Sequence, residues 1–216
     1  MPRRPTITLG IAAACGVLAL LVWLVAFRTG HGQAADLTAL QRASGLRDSL
    51  GMHYAERLAH LCDPGPFALL SLSLTVLALI TRGWRVALVV GAILLVPNVL
   101  TQELKTALAE DRPGGPLFSV DPASWPSGHS TAAMALAFAA TVVAPRVLRV
   151  PVAMLGLAYA VMVGAVVVIF GWHLPSDVVG GFAIAGGAAA IGVFVLELSR
   201  PAATTALPSR SRRATG

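Results

Sequence analysis

Pro126-Ser127-Gly128-His129 is a polar break of four residues with a long apolar run opening directly behind it. Ser127 suits the N-cap of a helix that begins there, and Gly128 lets a ligand approach the backbone closely. The first N–H groups of such a helix have no intrahelical acceptor, so with the helix dipole they can hold an anion. His129 then falls in the first turn, beside the anion. By itself it is equally a polar residue at a membrane interface, so the surroundings of the motif decide between these readings.

Those surroundings are apolar. Hydrophobic residues make up 56% of the 216 and charged residues only 12%, and the mean hydropathy is +0.76. These values fall outside the range of soluble domains and indicate an integral membrane protein. The net charge of +6 does not point to nucleic acid, because the cations lie between apolar runs, where topology accounts for them. Cys15 lies inside the first apolar run and Cys62 in a polar segment, so no disulfide is expected. No CxxC or HExxH spacing occurs, so neither a metal nor another cofactor is expected.

Residues 6–27 form an apolar run preceded by Arg3 and Arg4, about 33 Å long as a helix and sufficient to cross a bilayer. The run is far longer than the core of a cleaved signal peptide, and Gln33-Ala34-Ala35 is a poor cleavage site. Further spans are expected at about 66–81, 84–100, 127–144, 150–170 and 176–198, with Pro97 kinking the third. Between the first and second, Leu37, Leu40, Leu46, Leu50, Tyr54, Leu58 and Leu61 recur at mostly helical spacing. That pattern predicts an interfacial amphipathic segment at about 36–62, in which His31, His53 and His60 read as surface histidines. Residues 201–216 are expected to be a disordered basic tail. The expected fold is all-α: a single six-span membrane bundle.

With the N-terminus inside, ten of the 16 Lys and Arg fall on the cytoplasmic face, in short loops and tails. This is the positive-inside bias. Both termini are then cytoplasmic, and the Pro126–His129 break faces outward.

Two more polar stretches end spans on that outer face. Lys105 and Arg112 are seven residues apart, on one side of a helix if the third span continues to Pro113. They suit an oxyanion, although Lys and Arg at span ends also snorkel to headgroups. His173 and Asp177 are separated by a short corner containing Pro175. There a carboxylate can fix the tautomer of the imidazole and leave its other nitrogen free to attack an electrophile. The plainer reading is a helix cap and a packed histidine, and a cap can also orient its neighbour. Gathered at one membrane surface, the three stretches offer one Lys, one Arg, two His and one Asp, a set suited to phosphate.

Lys105 to Arg112-Pro113, then Pro126-Ser127-Gly128-His129, then His173 to Asp177 resemble the three signature motifs of the type-2 phosphatidic acid phosphatase superfamily, whose soluble relatives include vanadium-dependent haloperoxidases. The resemblance extends from about Pro66 to Leu198. It implies that His173 is the nucleophile forming a phosphohistidine, that Asp177 orients it and that His129 protonates the leaving oxygen. It also implies that Lys105, Arg112, Ser127 and Gly128 hold the phosphate oxygens, without a metal. One departure stands out: the third motif of the family begins with Ser or Gly followed by Arg, and this chain has Val166 and Val167 there. Losing that charge-assisted donor costs about 1.5 to 3 kcal/mol, or one to two orders of magnitude in rate.

The expected function is hydrolysis of a lipid phosphate or pyrophosphate of the polyprenyl pyrophosphate, phosphatidic acid or phosphatidylglycerol phosphate class, at the extracytoplasmic face of the cell membrane. The alternatives are a phosphotransferase to an alcohol acceptor and a non-catalytic lipid-phosphate-binding protein, the latter because of Val167. A transporter gains no support, since no internal repeat or mid-membrane charge is evident.

Overall fold

The computed structural model describes residues 4–49, 51–112 and 121–199. Pro113, which closes the first motif, and the tail 201–216 lie outside the described residues. The described chain is all-helical: α1 (Arg4–Arg28), α2 (Gly30–Ser44), α3 (Met52–Ala59), α4 (Pro64–Arg82), α5 (Trp84–Ala107), α6 (Gly128–Val143), α7 (Arg149–Ile169) and α8 (Pro175–Leu198), with 3₁₀ turns at His60–Cys62 and Arg146–Leu148.

Five helices, α1, α4, α5, α7 and α8, are long and apolar enough to cross a membrane. The sixth apolar helix, α6, has 16 residues, about 24 Å against a hydrocarbon core of about 30 Å. Its length is set at both ends by sequence. Ser127 caps it, its Oγ accepting from Ser130 N at 3.3 Å, and Pro145 follows its last turn. The third expected span is longer than anticipated, because α5 runs to Ala107 and carries Lys105 in its last turn.

α6 is the central post. Ten of its residues are buried, six of them alanine or serine, and α5, α7 and α8 pack around it. Between membrane helices small residues allow the backbones to approach closely, and dispersion replaces the hydrophobic effect as the driving force. The approach that matters most is at Gly181 of α8, where an added Cβ would lie 2.7 Å from the Ser127 carbonyl oxygen and 2.9 Å from Thr131 Oγ1. It brings the first turn of α8 against that of α6, and Ser127 N donates to the Asp177 carbonyl at 2.9 Å.

α1 lies on α8, and α4 on α5 and α6. The polar segment after α1 folds as two short helices. α2 contacts α1, α7 and α8, while α3 packs on α7. Leucines and isoleucines such as Leu69, Leu72, Ile80 and Leu155 stay exposed on outward faces, as expected where the surroundings are lipid. Cys15 and Cys62 are free thiols.

Candidate active site

The end of α7 creates the turn that carries His173. Gly171 adopts φ 75°, a left-handed conformation open to glycine at little cost. The amides of Trp172 and His173 then both donate to the Val167 carbonyl, at 2.8 and 3.1 Å. Pro175 starts α8, and Asp177 sits in its first turn. Asp177 is fully buried, and its Oδ2 accepts from Leu174 N at 3.0 Å and lies 3.3 Å from His173 Nδ1. An Nδ1–H directed at this carboxylate leaves His173 Nε2 with its lone pair free.

Lys105, Gly128, His129 and His173 line one cavity of about 610 Å³, together with Asn98, Gln102, Phe67, Cys62, Pro64 and Val99. Helices α5 and α6 and the α7–α8 corner each contribute to its wall. Lys105 has no hydrogen-bond or ion-pair partner among the described residues. Burial pushes the Cys62 thiol up to about 11, so this wall residue stays protonated.

Arg112 lies elsewhere. Its side chain is 3% exposed, and it sits behind Asp177 rather than on the cavity wall. Nη2 donates to Asp177 Oδ1 at 2.6 Å and to Ser124 Oγ, while Nη1 donates to Ser176 Oγ at 3.2 Å. The guanidinium stacks over Phe27 of α1 at 4.6 Å. Ser127 is likewise fully buried, with its hydroxyl engaged in capping α6.

Three residues outside the expected set join the site. Asp36 of α2 is buried and accepts from Ser176 N at 3.0 Å and Ser176 Oγ at 2.6 Å, with Arg112 Nη1 at 3.8 Å. Burial raises its carboxyl above the ordinary value despite the two Ser176 bonds. In the sequence its signal is weak: Asp36 and Leu40, four apart, share the buried face of α2. Asp63 places Oδ1 2.9 Å from His129 Nε2 and Oδ2 3.0 Å from His60 Nδ1. Burial pulls its carboxyl up, but the bonds from the two histidines together outweigh this and hold it below the usual value. His60, exposed as expected, is also the third member of a His–Asp–His cluster whose two imidazoles both lie 5.4 Å from the Trp172 ring. At position 167, where the family motif has Arg, the Val side chain is fully buried.

The helices and the site at one end of the bundle define a multi-pass membrane protein with a histidine- and lysine-lined cavity backed by a buried carboxylate. The family model described as the PAP2 superfamily matches residues 83–200, more than half of the chain, and the chain belongs to that superfamily. Among solved structures, the fold is similar to the crystal structure of a transmembrane PAP2-type phosphatidylglycerolphosphate phosphatase from Bacillus subtilis. The two are 22% identical with a TM-score of 0.74, and the match covers 88% of this chain and 98% of the other. No curated protein matches the chain.

Proposed function

We propose that the chain is a membrane lipid phosphatase that hydrolyses a phosphomonoester or pyrophosphate of a lipid through a phosphohistidine, without a metal. The observation that carries this reading is the shared cavity. Asp177-backed His173, His129 and Lys105, which has no partner among the described residues, converge on a space large enough for a phosphate group. Membership of the PAP2 superfamily supports the same chemistry, and the phosphatidylglycerolphosphate phosphatase neighbour supports a lipid substrate.

In this mechanism Lys105 and the leading amides of α6, at Gly128 and His129, hold the phosphate oxygens. His173 Nε2 attacks phosphorus, the bond to the lipid oxygen breaks, and His129 gives that oxygen its proton. Water then attacks the phosphohistidine and loses a proton to His129, the phosphorus–nitrogen bond breaks, and phosphate leaves. Asp177 orients His173 and stabilises its imidazolium, and Arg112 holds Asp177. We place the site on the extracytoplasmic face of a six-span bundle, with α6 as a short sixth crossing and both termini cytoplasmic. The positive-inside bias supports that orientation. The substrate classes are those expected from the sequence: polyprenyl pyrophosphate, phosphatidic acid or phosphatidylglycerol phosphate.

The test is phosphate release from a panel of these lipids in vesicles with EDTA present, native chain against His173→Ala. The expected result is metal-independent release that the substitution abolishes. Equal release from both chains would overturn the mechanism, and silence from both would favour a lipid-phosphate-binding protein, the alternative motivated by Val167.

A further inference from the structure

Asp63 occupies the N-cap position of α4, where an aspartate ordinarily accepts hydrogen bonds from the N–H groups of the first turn. Here its side chain makes no capping bond. The sequence explains why. Asp63 is followed by Pro64-Gly65-Pro66, and proline has no N–H, so two of the first three positions of the helix offer no donor. The carboxylate is left free to turn outward, and it bridges His129 Nε2 at 2.9 Å and His60 Nδ1 at 3.0 Å. Its backbone remains anchored, with Asp63 N donating to the His60 carbonyl at 3.1 Å and Phe67 N donating to the Asp63 carbonyl at 2.9 Å.

We propose that Asp63 is a positioning residue for His129, turning the ring and favouring its protonated form over the neutral one, so that it enters the reaction as the acid. This rests on the phosphatase reading above. The groups around His129 make the role necessary. Lys105 from α5 and His173 from the α7–α8 corner share its cavity, and His60 lies across the bridging carboxylate. Each of these disfavours a second positive charge on His129. Asp177 lies behind His173 and is already engaged by Arg112. Asp63 is the carboxylate in direct contact with His129. An opposite charge at this distance favours the charged imidazolium.

The sign of the effect follows. A general acid works while protonated, so activity falls as pH rises through the pKa of His129. Removing the Asp63 charge weakens the hold on that proton and moves the alkaline limb of kcat/KM to lower pH.

The experiment uses the full chain in detergent, labelled with ¹⁵N-histidine. The His129 resonance, assigned against His129→Gln, is titrated in the native chain, Asp63→Asn and Asp63→Glu. In parallel, kcat/KM for phosphate release from dioleoyl phosphatidic acid in mixed micelles is measured against pH. Asp63→Asn is expected to lower both the His129 titration and the alkaline limb by about one pH unit, while Asp63→Glu keeps both near native. An unmoved His129 titration overturns the proposal, as does a uniform loss of rate with the limb in place. If the native chain releases no phosphate from any lipid of the panel above the phosphatase reading fails, and the titration alone still decides whether Asp63 charges His129.

Discussion

Replacing Arg112 with methionine separates two roles for this cation. The side chains of Arg112 and Asp177 are 3% and 0% exposed and meet at 2.6 Å, so the substitution keeps an unbranched apolar stem but removes the guanidinium from over Phe27 and leaves Asp177 buried without its cation. Breaking a buried pair from one side costs about 3 to 5 kcal/mol, because the remaining charge is uncompensated. The bonds to Ser124 and Ser176 are lost as well, but both serines carry neutral hydroxyls and add little beyond this figure, and Asp36, 3.8 Å from Nη1, is already shifted by burial toward its neutral form. If the cost is the stranded charge, removing that charge should recover part of it. Arg112→Met with Asp177→Asn is therefore expected to regain about 2 to 3 kcal/mol over Arg112→Met alone, as coupled neighbours do. Thermal unfolding of the native chain, both single variants and the double variant in one detergent closes the cycle. Native-like stability for Arg112→Met, with a raised KM, would place the guanidinium on substrate phosphate and refute the argument. A double variant no more stable than Arg112→Met would also refute it.

Three other outcomes follow from the same geometry. Val167→Arg, which restores the residue the family motif carries, puts a cation where the side chain is fully buried. It should destabilise the chain by about 3 kcal/mol or more, and an unchanged melting temperature with faster phosphate release would contradict this. Gly181→Ala should cost about 1 to 3 kcal/mol by overpacking and should slow turnover as well. The added Cβ would lie 2.7 Å from the Ser127 carbonyl oxygen and pushes the first turns of α6 and α8 apart, and a fully active, equally stable variant would show that the contact gives way. The carboxyl of Asp36 is raised by burial in the folded chain, so its contribution to stability is fully present below the ordinary carboxylate pKa near ~4 and is lost as pH rises through the folded value. Asp36→Asn should therefore flatten the fall in melting temperature as pH rises from about 4, and parallel pH profiles for the two chains would count against the shift.

The sequence by itself determined the membrane class, the approximate positions of the apolar helices and the three motif stretches, because long apolar runs and local turn chemistry are properties of neighbouring residues. Ser127, Gly128 and His129 lie within one helix start, and His173 and Asp177 within one corner, so spacing alone could suggest that they act together. The tertiary structure decided the partners. Arg112 shares a motif with Lys105, yet the two separate: Lys105 stays on the last turn of α5 facing the cavity, while Arg112 passes behind Asp177. Asp36 reaches Ser176 across 140 positions and Asp63 reaches His129 across 66, contacts for which no local pattern exists. The physical reason is that a charged side chain pairs wherever the packed helices bring a partner, of necessity where it is buried, as Asp36 is, and helix packing here depends on small residues such as Gly181 rather than on the residues that do the chemistry.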